Sequence, residues 1–311
     1  MLRRHLGMPA LIGIGGLLVS LLAFAPAITA SAAPAGTTGS ASPAWQTRIC
    51  RGTAKQPGTL AGLYLNAIVD GVCIVNRGPA LIQDDLIITR NSAVVAVFGR
   101  RHSRIWVGNN ILVRPGGSVI MGCEPKRLSG NPIFPCVDDP HPGHPTLSSH
   151  EVVVGSILAD RALGVVVHNS WIGHDVREFA GGGGLNCRPT GIFIKFGSPV
   201  YSDYEDNWIG GSMWVRHLHS CWFGALRNWV GTSMTISENR MGDPDAMEVV
   251  TNVVGRDLTC FRNQPAAQFG DSQGNPNRVG LHAFFECGFR VVLPNPAGQH
   301  KHFSHISVHL H

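Results

Sequence analysis

The segments Asn207-Trp208-Ile209-Gly210 and Asn228-Trp229-Val230-Gly231 decide the fold, because their frame recurs along the chain. Its core is Trp or another residue, then Ile or Val, then Gly. The frame occupies residues 106–108, 171–173, 207–210, 228–231, 252–255 and 277–280. The last four glycines, at 210, 231, 255 and 280, are separated by 21, 24 and 25 residues. Periods of this length are typical of solenoid repeats.

Within each unit, apolar and polar residues alternate after the glycine. Met213 and Val215 are the third and fifth residues after Gly210, and Met234 and Ile236 occupy the same apolar positions after Gly231. Alternation with period 2 predicts strands rather than helices. Short strands recurring at this period predict an all-β fold, a single-stranded right-handed parallel β-helix with three strands per coil. Leucine-rich repeats share the period but need a Leu lattice that this chain lacks.

The N-terminal half shows the same pattern less regularly. Apolar triplets six to ten residues apart predict further strands at 86–88, 94–96, 105–107, 111–113 and 119–121. Residues 123 to 145 are rich in Pro and predict a long loop. A second insertion, from Gly181 through Asp206, accounts for the 37-residue step between Gly173 and Gly210.

Eight cysteines in an exported chain predict disulfides. The coil frame places Cys260 near Cys287 and Cys187 near Cys221 on adjacent coils, about 4.8 Å apart. Two further bridges would then close the remaining loops. The predicted pairs are Cys50 with Cys73, Cys123 with Cys136, Cys187 with Cys221, and Cys260 with Cys287. No pair has the Cys-x-x-Cys spacing of a zinc or redox site.

The N-terminus has the order of a secretory signal peptide. Arg3 and Arg4 precede an apolar stretch from about Leu11 to Ala27, and Ala30-Ser31-Ala32 follows as a cleavage signal. A membrane anchor is the alternative, but the apolar run is short and is interrupted by Gly and Pro. We therefore predict a secreted protein without a membrane span after cleavage. Its parts are a signal peptide (1–32), a low-complexity linker (33–44), a β-helix domain (45–292) and a histidine-rich flexible tail (293–311).

The charge balance disfavours nucleic acid as a partner. Without Arg3 and Arg4, 23 of the 25 basic residues remain against 20 acidic ones. No run of Lys or Arg marks a binding face. Charged residues make up only 14% of the chain and glycines number 38. Low charge with abundant Gly is typical of a fold made from short strands and tight turns.

The segment Asp243-Pro244-Asp245-Ala246-Met247-Glu248, the Asn-x-Val-Gly coils and the Cys260 to Cys287 segment resemble a family of actinobacterial secreted proteins. The resemblance covers roughly residues 45 to 290. It implies the β-helix fold and no activity. More distantly, the predicted architecture resembles that of pectate lyases and polygalacturonases, at the level of fold alone.

The recurring tryptophans are the candidate binding residues. If the Asn and the Ile or Val of each frame face inward, the Trp between them faces outward. Stacked exposed indoles suit a sugar ring, because they offer apolar faces with a polar N–H edge. The predicted glycan platform consists of Trp171, Trp208 and Trp229, with Trp106 farther along. The alternative is that the rings are tucked beneath a loop as core.

The acidic residues give no recognisable catalytic pattern. Asp203, Glu205 and Asp206, with Lys195 and Arg216 nearby in sequence, could hold Ca²⁺ beside a base as in β-helix lyases, but their spacing also fits a solvated loop. Asp243 and Asp245 fit a turn. A histidine-rich tail can bind metal weakly or remain disordered. No cofactor, metal site or nucleotide motif is predicted. The leading hypothesis is a non-catalytic structural or glycan-binding protein at the cell surface or in the medium, with a polysaccharide as partner; the alternative is a polysaccharide lyase or hydrolase acting on acidic glycans.

Overall fold

Parallel β-strands make up nearly all of the regular structure in the computed structural model of the chain. The structure describes residues 45–97, 103–124, 136, 151–268 and 274–288. The chain divides into two units, Met1–Pro43 and Ala44–His311, and the described residues belong to the second. The predicted signal peptide, the linker to residue 44 and the tail from residue 293 lie outside the described residues, as does most of the Pro-rich segment.

The strands fall into three parallel sets, here named sheets A, B and C. Sheet A contains β1 (Arg48–Gly52), β4 (Ala67–Ile74), β6 (Leu86–Ile88), β9 (Ile111–Val113), β12 (Ile157–Asp160), β15 (Val176–Phe179), β18 (Met213–Arg216), β22 (Met234–Ser237), β26 (Leu258–Phe261) and β28 (Ala283–Phe285). Sheet B contains β2 (Gly58–Thr59), the end of β4, β7 (Ala93–Val97), β10 (Ser118–Gly122), β13 (Gly164–His168), β16 (Tyr201–Glu205), β20 (Trp222–Leu226) and β24 (Met247–Val250). Sheet C contains β3 (Gly62–Tyr64), β5 (Ala80–Ile82), β8 (Ile105–Val107), β11 (Glu151–Val153), β14 (Ser170–Ile172), β17 (Trp208–Ile209), β21 (Trp229–Val230), β25 (Val253–Val254) and β27 (Arg278–Val279). A two-stranded pair, β19 (His219–Ser220) with β23 (Arg240–Met241), and the helix α1 (Phe193–Phe196) complete the described elements.

The chain visits the three sheets in a fixed order. From β5 onward, each strand of sheet C is followed by one of sheet A, and a return to sheet B usually precedes the next strand of sheet C. Each strand pairs in parallel with the equivalent strand of the preceding and following passes, as β17 does with β14 and β21. The predictions of an all-β fold with parallel strands and of strands in the N-terminal half are confirmed, the latter by β6 to β10.

The inward residues of the three sheets form one apolar core. In sheet C the residue after each tryptophan is fully buried, as Ile172, Ile209 and Val230 show. Inward residues of sheets A and B, such as Val215 and Phe223, join the same cluster. The strand alternation seen in the sequence therefore separates this core from the outward faces.

Asparagines stacked inside the turn from sheet B to sheet C hold successive passes together. The backbone N–H and the Nδ2 of Asn207 donate to Oδ1 of Asn228 at 3.1 and 3.0 Å. Asn228 donates in the same way to Asn252, and Asn252 to Asn277. Asn228 Nδ2 also donates to the carbonyl of Tyr204 at 2.7 Å. The ladder satisfies buried backbone groups that the turn leaves unpaired.

Four disulfides link the eight cysteines, and the predicted pairing is confirmed. The bridges are Cys50–Cys73, Cys123–Cys136, Cys187–Cys221 and Cys260–Cys287. No cysteine is free. Cys50 and Cys73 join β1 to β4, and Cys260 ties β26 to the turn after β28. The staples therefore connect neighbouring passes or close loops at their base.

The second insertion is shorter than predicted. It runs from residue 180 to 200 and ends where β16 begins at Tyr201, not at Asp206. Its helix packs on the outer face of sheet B, where Phe193 and Phe196 form a second apolar cluster with Val166 and Tyr201. Residues 201–205 alternate between inward and outward positions, as in any strand. From the sequence they are assigned to the insertion because Asp203 and Glu205 are acidic.

Candidate functional site

Three tryptophans stack in register on the outer face of sheet C. Trp171 pairs with Trp208, and Trp208 with Trp229. The ring centroids lie 5.2 and 5.0 Å apart, and both interplanar angles are 6°. These three rings are here called the indole stack. The structure therefore brings together the three residues predicted to form the platform.

Trp106 does not touch the stack. Val152 of β11 lies between Trp106 and Trp171 in the same column of the sheet. The column is apolar over eight consecutive strands, and none of its members is buried. Those members are Leu63, Leu81, Trp106, Val152, Trp171, Trp208, Trp229 and Val253. We call this set the apolar column.

The glycine of each Trp-x-Gly frame makes room for the backbone of the preceding pass. A Cβ at Gly231 would overlap the carbonyl oxygen of Gly210 and would lie 3.3 Å from Cη2 of Trp229. Gly210 and Gly173 are enclosed in the same way, each by the preceding backbone and its own indole. The frame therefore couples a tight turn to an indole that leans over it, which explains why the three residues recur together.

The rings are offset rather than laid flat in one plane. Nearly parallel planes with centroids about 5 Å apart correspond to offset stacking. Trp208 consequently has neighbours on both faces, whereas Trp229 has one and is the most exposed, at 40%. The next position of the column holds the smaller Val253. The stack thus presents a row of edges and partial faces that ends in one open indole, not a buried core, so the alternative of rings tucked beneath a loop is wrong.

A charged cluster lies at the corner that precedes the indole stack. His168 and Glu205 are paired in register on the outer face of sheet B, and Asp206 and Arg227 occupy the corner two residues before Trp208 and Trp229. Arg227 Nε donates to Asp206 at 2.8 Å, and its Nη2 donates to Asp206 at 2.9 Å and to Glu205. A 3.0 Å hydrogen bond joins His168 Nε2 to Asp203 Oδ2. We call these five residues the corner cluster.

Burial governs the protonation of the corner cluster. It raises the pKa of Glu205 to about 8, assisted by repulsion from Asp203 and opposed by Arg227. It raises the pKa of Asp203 to about 7 and lowers that of His168 to about 4. Burial also disfavours the charge of Arg227, but its hydrogen bonds to Asp206 and the attraction of both acids outweigh this and raise its pKa. At neutral pH the cluster therefore holds a neutral His168 and partly protonated Asp203 and Glu205 beside an arginine whose guanidinium is hydrogen-bonded to two carboxyl groups.

The structure corrects the interpretation of the acidic segment as a solvated loop. Asp203, Glu205 and Asp206 are at most 9% exposed, because the first two stand on β16 and the third forms the corner. Lys195 lies on α1, and Arg216 ends β18, where its nearest acid is Glu238 at 3.8 Å. The basic residues that contact these acids are instead His168, which bonds to Asp203, and Arg227, which bonds to Glu205 and Asp206. Position relative to the tryptophans was the signal in the sequence: His168 and Glu205 each lie three residues before a tryptophan of the indole stack, and Asp206 and Arg227 each lie two residues before one.

The other candidate groups give no metal centre. Among the described residues, no group of three or more His, Cys, Asp or Glu side chains could hold a metal ion. Asp243 and Asp245 form the predicted turn, in which Asp245 N–H donates to Asp243 Oδ1 at 3.0 Å. The histidine-rich tail, predicted to be flexible, with weak metal binding as the alternative, lies outside the described residues. Within the described ranges, no helix has the length and apolar character needed to cross a membrane.

No family model matches the chain, and neither does any curated protein or solved structure. Function must therefore be inferred from the indole stack and the corner cluster. The stack offers apolar ring surface and N–H edges to solvent. The cluster is largely enclosed, and its ionisable groups are directed at one another. Of the two, the stack is the surface that a macromolecular ligand can reach.

Proposed function

We propose that this protein is a secreted, single-stranded right-handed parallel β-helix whose indole stack binds a polysaccharide. The observation that carries the proposal is the in-register stack of Trp171, Trp208 and Trp229, with centroids 5.0 to 5.2 Å apart on an outward face. Large exposed apolar surfaces on a folded protein are typical of interaction sites. Sugar rings pack their C–H faces on aromatic rings, and their hydroxyls can bind the indole N–H edge.

The β-helix architecture is supported by the strand order. The chain passes repeatedly through sheets C, A and B, and the strands of successive passes in the described residues pair in parallel. Parallel strands joined by crossover connections are right-handed in nearly all proteins. The resemblance of the coil motifs to actinobacterial secreted proteins points the same way.

Secretion is supported by two independent features. The N-terminal sequence has the order of basic residues, apolar stretch and Ala-x-Ala of a signal peptide. All eight cysteines are joined in disulfides, which persist in oxidising compartments. A polysaccharide at the cell surface or in the medium is a partner available in that location.

A second candidate function, hydrolysis of a glycan, is favoured by Glu205 alone. Its raised pKa keeps a carboxyl proton available at neutral pH, as a general acid requires. The binding function is preferred because the cluster's other acids are enclosed and held by neighbours: Asp206 is only 2% exposed at its side chain and is bound by Arg227. A lyase acting on uronates would in addition need a basic residue near the acids, and the cluster's Arg227 already pairs with both Glu205 and Asp206.

The test is polysaccharide binding by the secreted, oxidised protein and its column variants. Trp208→Val and Trp229→Val are suitable, because valine already occupies the equivalent positions in β11 and β25. Trp214→Thr is the matched control: Trp214 is half-buried on the outer face of sheet A, and Thr235 follows it in register.

We expect calorimetry or insoluble-glycan pull-down to show binding that falls at least tenfold in both column variants and is unchanged in Trp214→Thr. Circular dichroism and thermal melting verify that each variant is folded. Equal binding by folded wild type and both column variants would refute the platform. Release of new reducing ends that disappears in Glu205→Gln would instead establish the hydrolase.

A further inference from the structure

The apolar column is much longer than one sugar. It covers eight consecutive strands of sheet C, from Leu63 to Val253, at a strand spacing of about 4.8 Å, and therefore extends about 34 Å. Leu63, Trp229 and Val253 are exposed, and the five members between Leu63 and Trp229 are half-buried. A ligand that follows the column can gain contact with each added unit, because the column runs parallel to the stacking direction of the strands.

The charged groups that flank the passes of Trp171, Trp208 and Trp229 are paired within the protein. On one flank, Arg227 is bound by Asp206 and Glu205. On the other, Asp175 pairs with Arg177, whose guanidinium also lies 4.7 Å above the ring of Trp214. A carboxylate or sulfate on a ligand bound over the indole stack would lose its hydration water. The arginines within reach there, Arg177 and Arg227, are already paired with acids of the protein. Such uncompensated desolvation is unfavourable.

Hydroxyl groups meet a better environment at the same place. Glu205 and Arg227 are partly accessible, with 11% and 16% of their side chains exposed. Thr232 and His174 lie on the opposite flank, three residues after Trp229 and Trp171. These groups can donate to or accept from uncharged hydroxyls without a change in net charge.

We infer that the ligand is an uncharged, linear polysaccharide that lies along the apolar column and contacts several strands at once. The inference rests on the proposed glycan-binding function and names its ligand class and orientation. It departs from the acidic glycans expected for a lyase. The alternative ligand would be an anionic chain held by Arg256 and Arg278, both of which are exposed. Arg256 follows β25, and Arg278 of β27 is paired with Val253 at the end of the apolar column.

The experiment compares ligands of matched length and different charge. The probes are neutral β-glucan oligosaccharides of two to eight units, oligogalacturonates of the same lengths, and chitosan oligosaccharides. The variants are Trp106→Val at the far part of the column, Trp229→Val within the stack, the double variant Arg256→Gln/Arg278→Gln, and Trp214→Thr as control.

We expect the neutral series to bind at least tenfold more tightly at six units than at two, and to outcompete oligogalacturonate and chitosan of equal length at least tenfold. Trp229→Val should weaken every neutral length, and Trp106→Val only the longer ones. The arginine double variant should leave neutral binding within twofold of wild type.

Three results would overturn the inference while leaving glycan binding intact. They are affinity independent of length, which would indicate a single terminal sugar on the open face of Trp229; tightest binding of oligogalacturonate, lost in the arginine variant; and tightest binding of chitosan. If none of the probes binds, or if Trp229→Val binds all of them as wild type does, the proposed function fails as well.

Discussion

Glu178 is an acid enclosed in the core between sheets A and B. Its Oε1 accepts from Ser202 Oγ at 2.7 Å and its Oε2 from the Tyr204 hydroxyl at 2.9 Å. Burial raises the pKa of Glu178 from 4.5 to about 7, although both hydrogen bonds favour the charged form. The protonated carboxyl has one donor and one acceptor, and the two hydroxyls can reverse direction to match it. The folded protein therefore prefers this residue neutral.

Replacing Glu178 by Gln should stabilise the protein in a pH-dependent manner. Between pH 4.5 and 7 the folded state holds a proton on Glu178 that the unfolded state has released, so stability falls as pH rises through this window. Below pH 4.5 both states are protonated and the penalty vanishes. Gln, like the protonated acid, presents a donor group to one hydroxyl and a carbonyl acceptor to the other, so Glu178→Gln should gain up to about 3 kcal/mol at pH 8 and nearly nothing at pH 4.

Urea unfolding of wild type and Glu178→Gln at pH 4, 6 and 8 measures this difference. The control is Asp160→Asn, since the Asp160 side chain is half-exposed and pairs with the exposed Arg161. Asp160→Asn should change stability by less than about 1 kcal/mol at every pH. A constant effect of Glu178→Gln from pH 4 to 8 would contradict the assignment.

At the scale of the strand and its turn, the asparagine ladder ties each pass to the next. Asn228 accepts from the backbone and side chain of Asn207 and donates to Tyr204 and Asn252. These groups are buried, so water cannot replace the lost side chain. Asn228→Ala should leave the Asn207 N–H and the Tyr204 carbonyl unpaired, at a cost of about 2–5 kcal/mol.

Asn109→Ala is the matched control for the ladder. Asn109 is exposed, and its side chain makes a 3.1 Å hydrogen bond to Asp84. Chemical denaturation should place this control within about 0.5 kcal/mol of wild type. Hydrogen exchange should also show faster exchange at β17 and β21 in Asn228→Ala. Equal stability of the two variants would mean that the ladder contributes no more than a surface contact.

The frame around the ladder was predictable because each of its residues meets a local steric or hydrogen-bonding requirement that recurs in every pass. Gly210 and Gly231 are required where backbone passes over backbone, and Asn207 and Asn228 where a buried turn needs a side-chain partner. The predicted outward position of Trp208 followed from strand alternation. The offset of the rings did not, since it depends on how each indole leans over its own glycine.

The corner cluster was not predictable from local sequence, because its members come from three separate passes. His168, Glu205 and Arg227 lie 37 and 22 residues apart, so Arg227 falls one residue outside the spacings of 37 and 21 that align the tryptophans. Asp203 and Glu205 look like a solvated segment until the register of β16 with β13 and β20 places them on a covered face. Charge in a sequence thus indicates exposure only when the strand pairing is known.

At the scale of the whole set of described strands, each strand pairs with the equivalent strands of the preceding and following passes, so damage at one place should remain local. The Cys187–Cys221 disulfide tests this, because it joins the insertion to the residue before β20 and closes a 34-residue separation that includes Trp208, while both cysteines lie outside sheet C. The double variant Cys187→Ser/Cys221→Ser frees that loop in the unfolded chain and should cost about 4 kcal/mol by the loop-entropy relation.

We expect thermal melting under oxidising conditions to show this loss of stability in the double variant. Its affinity for the polysaccharide, measured well below the melting temperature, should stay within twofold of that of the wild type. The reason is that Trp208 and Trp229 are held by the glycine turns and the asparagine ladder of their own passes, whose hydrogen bonds the bridge does not share. Loss of binding in the folded double variant would show instead that the insertion and the indole stack form one cooperative unit, and that damage to one pass does not remain local.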